Sequence, residues 1–224
     1  MSNDRPRISA RIQTEDDAIR FMKDVKFALR YNSTPSLPLA SMYAAAGDTR
    51  CAIELTNALL ARDEVVETNV IADRLVLVHR SIVPALYALR VRFRSAKLSD
   101  YADRAFRLIE KDGTASAGDV RRYLGVDGLK RPDPGDLALA ELQREMLIDR
   151  DPSSVPAKGI PYLSKEGYPY RVFDKAHPDL VKTAKKMKAE QAMEILVNAA
   201  GPIPEKKFVS LFKLCLKPEE RLGK

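Results

Sequence analysis

Apolar residues recur at helical spacing in three stretches and then give way to short runs of β-branched residues. Ala18, Met22, Val25 and Leu29 follow Thr14, a good cap, and Glu15, Asp16 and Asp17 fill the first turn, where the helix dipole favours negative charge. Residues 32–38 interrupt the pattern. Leu39–Ala46 reads as a short helix ended by Gly47, and Asp48 caps another whose apolar face is Ile53, Leu55, Leu59 and Leu60. Val65–Ile71 and Arg74–His79 read as two strands around the tight turn Ala72-Asp73. Ser81 starts a helix through Arg92, with Ile82, Leu86 and Leu89 inside and Arg90, Arg92 and Arg94 on its exposed side.

The order then returns. From Ser99, Ala102, Ala105, Phe106 and Ile109 mark a helix stopped by Gly113. Ser116 and Asp119 form a capping box for a short helix ending near Gly125. Asp133, Pro134 and Asp136 open a third, with Leu139, Leu142 and Met146 along one side and Leu137, Ala140 or Glu141, and Arg144 along the other. Leu147–Arg150 and Tyr170–Phe173 read as strands around the long loop 151–169. Further on, Pro178 and Pro204 suit first helical positions, and Leu180, Ala184, Met187 and Ile195 give a core stripe.

Three helices followed by a hairpin is the layout of a winged helix, in which the third helix enters a DNA groove and the hairpin touches the backbone. The pattern predicts an α+β protein, mostly α. It divides into a basic arm at 1–13, a first winged-helix unit at 14–95, a second with a long wing at 96–175, and a helical extension at 176–224.

Charge sharpens this reading. The net charge of +7 favours a polyanionic partner, nucleic acid before an acidic membrane surface. The two cysteines, Cys51 and Cys215, imply no disulfide framework. His79 and His177 make no zinc site without carboxylates that the sequence does not point to. The N-terminus is polar and no apolar run approaches the roughly 20 residues that span a bilayer, so a cytoplasmic protein without membrane contact is expected.

Candidate contacts fall in three places. The wing interleaves Lys158, Tyr162, Lys165, Tyr168, Tyr170 and Arg171, and aromatic faces stack on unpaired bases at roughly 1–3 kcal/mol each while cations hold phosphates. Gly159 and Gly167 permit close backbone approach there. The alternative is that Tyr162, Tyr168 and Tyr170 cover the core. On the third helix of the second unit, Gln143 can read adenine and Arg144 guanine, or both are a solvated face. Arg121, Arg122, Lys130 and Arg131, just before that helix, could grip phosphates. Lys182, Lys185, Lys186 and Lys188 could do the same or be merely solvated. The chain has no phosphate loop, no dinucleotide-binding glycine motif and no nucleophile elbow, so no cofactor is expected. Glu67, Asp149 and Glu166 are conceivable acids or bases, though such residues are more often surface charges or caps.

The stretch from Phe27 through Leu39, then Asp73-Arg74-Leu75-Val76-Leu77-Val78-His79-Arg80, then Ala115–Gly125, resembles the winged-helix DNA glycosylases of the AlkZ type. In that family a strand of the form Arg-Gly-Thr-Leu-His-Leu-Val precedes a helix, much as Arg74–Val78 precedes Ser81–Arg92. The resemblance covers about the first two-thirds of this shorter chain. It implies a DNA-binding scaffold wrapped around duplex or damaged duplex, as in DNA repair. The family's Gln-x-Gln or Gln-x-Asp motif, which positions the hydrolytic water, is missing. The only glutamines are Gln13, Gln143 and Gln191, and the corresponding region, loosely Leu29-Arg30-Tyr31, is apolar and basic. No catalytic residue carries over, which leaves enzymatic activity open. A non-catalytic winged-helix transcription regulator and a helical protein-interaction module are the alternatives.

Overall fold

The computed structural model describes residues 11–34, 37, 39–71, 74–92, 97–152, 166–201, 203 and 210. The chain is α+β and mostly helical. Its first half runs α1 (Glu15–Val25), β1 (Phe27–Leu29), β2 (Ala40–Ser41), α2 (Met42–Ala46), α3 (Thr49–Ala61), β3 (Val65–Ile71) and β4 (Arg74–His79). A 3-10 turn at Arg80–Ile82 leads into α4 (Val83–Arg92). Then follow α5 (Asp100–Asp112), β5 (Thr114–Ser116), α6 (Ala117–Leu124), α7 (Pro134–Arg144), β6 (Ile148–Arg150), β7 (Pro169–Val172), α8 (Phe173–Ala176), α9 (Pro178–Lys185) and α10 (Ala189–Ala199).

Local chemistry sets the boundaries. Thr14 and Asp17 form a reciprocal capping box at the start of α1, Ser116 and Asp119 do so at α6, and Asp133 and Asp136 at α7. The Asp48 carboxylate accepts from the Cys51 amide at 2.8 Å to open α3. The helical stripe expected to reach Leu29 ends at Val25. Lys26 takes φ 59°, which stops α1, and Phe27, Ala28 and Leu29 continue as a fully buried strand. That strand, the two-residue β2, β5 and the four-residue α8 are elements the periodicity did not predict.

Both halves pair their strands alike. In the first sheet, ordered β2-β1-β4-β3, β4 lies antiparallel between β1 (Ala28 opposite Leu77) and β3 (Val66 opposite Val78). In the second, ordered β5-β7-β6, β7 lies antiparallel between β5 (Ala115 opposite Tyr170) and β6 (Asp149 opposite Arg171). Each half is thus a helix, a strand, two helices and a hairpin whose last strand returns to pair with the first. The short β2, parallel to β1, is the addition peculiar to the first half.

The first sheet separates two cores. Met22, Ala28, Leu55, Leu59 and Leu77 pack under α1–α3 on one side. On the other, Phe27, Val70, Val76 and Leu86 join Met146, Phe173, Leu180 and Leu196, so one core unites the first sheet, α4, the end of α7 and the C-terminal helices. A third core, around Ile109, Val120 and Leu142, lies within the second half. The halves are bound directly, because α7 and β6 pack on β3. The N-terminal segment also joins the fold at its end. Ile12 is buried and its amide donates to the Ala45 carbonyl at 3.1 Å. Among the described residues no helix is long and apolar enough to cross a membrane.

Candidate nucleic-acid interface

The third helix of the second half, α7, turns inward rather than out. Its residue Gln143 is 2% exposed, its side-chain oxygen accepts from Asn69 Nδ2 at 3.3 Å, and its carbonyl accepts from the Thr68 hydroxyl at 2.8 Å. Both partners lie on β3. Gln143 therefore joins the halves and presents no edge to a groove. Arg144 is half-buried, with its Nε 3.9 Å from Glu145. The outward side of α7 is headed by Leu137, 61% exposed.

The arginines before α7 are also engaged. Arg121 is buried and its Nη1 donates to Asp136 at 3.2 Å. Arg131 forks onto the same carboxylate, with Nε 2.8 Å from Oδ2. Arg122 is exposed but clamped to Glu166 at 2.8 Å and to Asp119 at 2.5 Å. The Glu166 hydrogen bonds raise the Arg122 pKa, and Arg122 in turn holds Glu166 below the usual carboxylate range. Lys130 is exposed. Lys158, Tyr162 and Lys165 lie outside the described residues.

Beyond the wing, Gly167 takes φ +68° with a Cβ position 3.1 Å from Ala117, so glycine suits both the backbone angle and the close approach. Tyr168 then enters the interior, 7% exposed, and Tyr170 is half-buried. Burial first, and then the Glu67 charge, push the Tyr170 hydroxyl up to about 12. Arg171 sits opposite Asp149 across the ladder and bonds it at 3.3 Å.

Tyr168 belongs to a cluster of charge that the sequence analysis did not assemble. Glu67 on β3 takes Arg30 Nη1 at 2.9 Å on one oxygen and Arg150 Nη1 at 3.0 Å on the other. The three residues are 2%, 3% and 0% exposed respectively. Arg30 also donates to the Tyr168 hydroxyl at 2.9 Å, and Arg150 donates to Asn57 at 3.1 Å while its Cζ stacks 3.1 Å from the centre of the Tyr168 ring. Burial alone would raise the Glu67 pKa, but the guanidiniums of Arg150 and Arg30 overcome it and hold the carboxyl below its ordinary value. The available signal was a glutamate inside the β-branched run Val65–Ile71, which is costly unless paired.

Two further buried charges are paired, one of them across the halves. Arg90 forks onto Glu145 from α4, with Nε 3.1 Å from Oε2, so the outward placement expected for Arg90 gives way to a sealed ion pair. His177 holds Asp149 at 2.7 Å on Nε2 and faces Asp63 at 3.5 Å on Nδ1. Those are the carboxylates the sequence did not place beside it. Among the described residues no group of three such side chains is arranged to hold a metal ion. The conceivable acids Glu67, Asp149 and Glu166 are each paired with an arginine.

Exposed charge of one sign collects on α9 and its sequel. Lys182, Lys185, Lys186 and Lys188 all face outward. Together with Asp179, Thr183, Met187 and Gln191, two of them line an open cleft of about 520 Å³. No protein-family model, curated protein or solved structure matches this chain.

Proposed function

We propose that this protein binds DNA through a scaffold of two winged-helix units, akin to the AlkZ-type glycosylases in architecture, with duplex and damaged duplex as its ligands. The observation that carries the reading is the repeated order of elements. Twice, a helix, a strand and two helices lead into a hairpin whose last strand pairs with the first strand. That order is the one expected of a winged helix, and its recurrence in a chain with net charge +7 supports the reading. The absence of the Gln-x-Gln motif argues for binding without base excision by that route. The burial of Gln143 argues against base reading by α7 and so against a sequence-specific regulator.

One observation favours a second reading, a protein-interaction module. Leu129 and Leu137 are 54% and 61% exposed beside α7. Fluorescence anisotropy against intact duplex, single strand and a duplex with an abasic-site analogue, at two salt concentrations, separates the two. DNA binding should weaken steeply with salt as counterions are released, and tighter binding to the abasic duplex would support the damage-directed form. No binding to any of the three would overturn the DNA reading in favour of a protein partner.

A further inference from the structure

We infer that the cleft between α9 and the start of α10 is the surface that grips the phosphate backbone of duplex DNA. This rests on the DNA-binding reading above and supplies the contact that α7 does not.

The first ground is where unneutralised charge lies. Surface arginines of this chain are mostly answered by carboxylates, as in Arg50–Glu54, Arg107–Asp103 and Arg131–Asp136. Exposed lysines such as Lys23, Lys111 and Lys175 also lack a carboxylate partner among the described residues, and Lys182, Lys185, Lys186 and Lys188 are set apart by their clustering. Among the described residues none of these four has an ion-pair partner, although all four lie within seven residues of chain. Of the acids nearby, Asp179 is already bound by Arg80 at 2.6 Å, and Glu190, exposed at the start of α10, makes no ion pair with these lysines among the described residues.

The second ground is shape. Lys182 and Lys186 stand one helical turn apart on one wall of the cleft, about 6 Å along the axis. A DNA strand advances by about 3.4 Å per phosphate, so one such turn can face two consecutive phosphates. Gln191 brings an amide from the α10 side. The Arg92 guanidinium donates to the Met187 carbonyl at 3.0 Å and ties the far rim to α4. A cleft held in this way needs no ordering before it binds.

The third ground excludes the other common use of a lysine-rich helix. A helix that lies on a membrane needs an apolar side free to enter the lipid. In α9 that side is Leu180, Val181 and Ala184, and all three are buried in the core shared with α4. Only the polar side is available, which fits a phosphate backbone and not an acyl layer. Contacts of this kind position a protein without reading sequence.

The test compares the wild-type protein with the double variant Lys182→Gln, Lys186→Gln. Anisotropy against a fluorescent 20-base-pair duplex is followed from low to high salt, alongside sedimentation with anionic phosphatidylserine vesicles. Loss of two phosphate contacts should reduce the salt slope by about 2 and weaken binding roughly 30-fold at 0.15 M salt, equally for unrelated sequences. Both side chains are exposed, so the melting temperature should not move, and the double variant Lys23→Gln, Lys111→Gln, at exposed lysines outside every candidate contact, serves as the charge-matched control. If the wild type binds duplex and the cleft variant binds as tightly with the same slope, the cleft assignment falls while the DNA reading stands. If the wild type binds no duplex, both fall. Capture by vesicles without duplex binding overturns the cleft assignment in favour of a lipid surface.

Discussion

Glu67 illustrates how one residue decides the junction between the halves. A lone buried carboxylate would be very costly, but here two guanidiniums, an amide oxygen and an aromatic face share the burden. Removing the charge from one partner should therefore do more harm than the cluster's net contribution implies. Glu67→Gln is expected to destabilise the protein by about 3–5 kcal/mol in denaturant unfolding, because Arg30 and Arg150 are left facing each other. The carboxyl is held below its ordinary value of 4.5 in the folded state, so its contribution is present above that value and is lost as the pH falls through and below it. The wild type should lose stability on acidification from about pH 5 downward, and the variant should lack that part of the loss. Tyr168 belongs to the same cluster. Tyr168→Ala is expected to lower the melting temperature, since it removes the ring under Arg150 and a hydrogen-bond acceptor from Arg30. An unchanged melting temperature with weakened single-strand binding would return the ring to a base-stacking role.

At the scale of the element, α7 is the informative case. Its start was legible because the signals are local. Asp133, Pro134 and Asp136 specify a cap whatever the rest of the chain does, and Asp133→Ala should cost about 1 kcal/mol of stability. Its orientation was not legible, because nothing in the local pattern tells whether a polar residue such as Gln143 meets water, DNA or the Asn69 side chain of a distant strand. Gln143→Ala should lower stability by about 1–3 kcal/mol, by stranding the Asn69 amide, and leave any preference among DNA sequences unchanged. A changed preference with unchanged stability would restore the groove-reading role. The strands β1 and β5 escaped notice for a related reason. Each is three residues long and directly adjoins a helix, too short for a period of two to declare itself. The hairpin β3–β4 is longer and was read with its observed bounds.

For the whole molecule, the predicted layout of helices and hairpins was correct in outline, while the cohesion between halves had no sequence signal. Ion pairs such as Arg90–Glu145 and the cluster at Glu67 join residues dozens of positions apart, and single-sequence periodicity is blind to such separations. Because α7 and β6 rest on β3, and one core takes side chains from both halves, calorimetry should record one cooperative transition rather than two. Two separate transitions would mean that the junction is weaker than its buried partners imply.

The same junction constrains how a ligand can be met. Enclosed ion pairs and a shared core join the two halves, so closing them around a ligand would require breaking buried charge pairs. If the proposed DNA ligand is bound, bending needed for full contact would fall on the nucleic acid, at about 1–6 kcal/mol for a smooth bend of a 20–30 base-pair site. Under that proposal the stiffness of the DNA would become a determinant of affinity in its own right, and a nicked duplex, already hinged, should bind more tightly than an intact one.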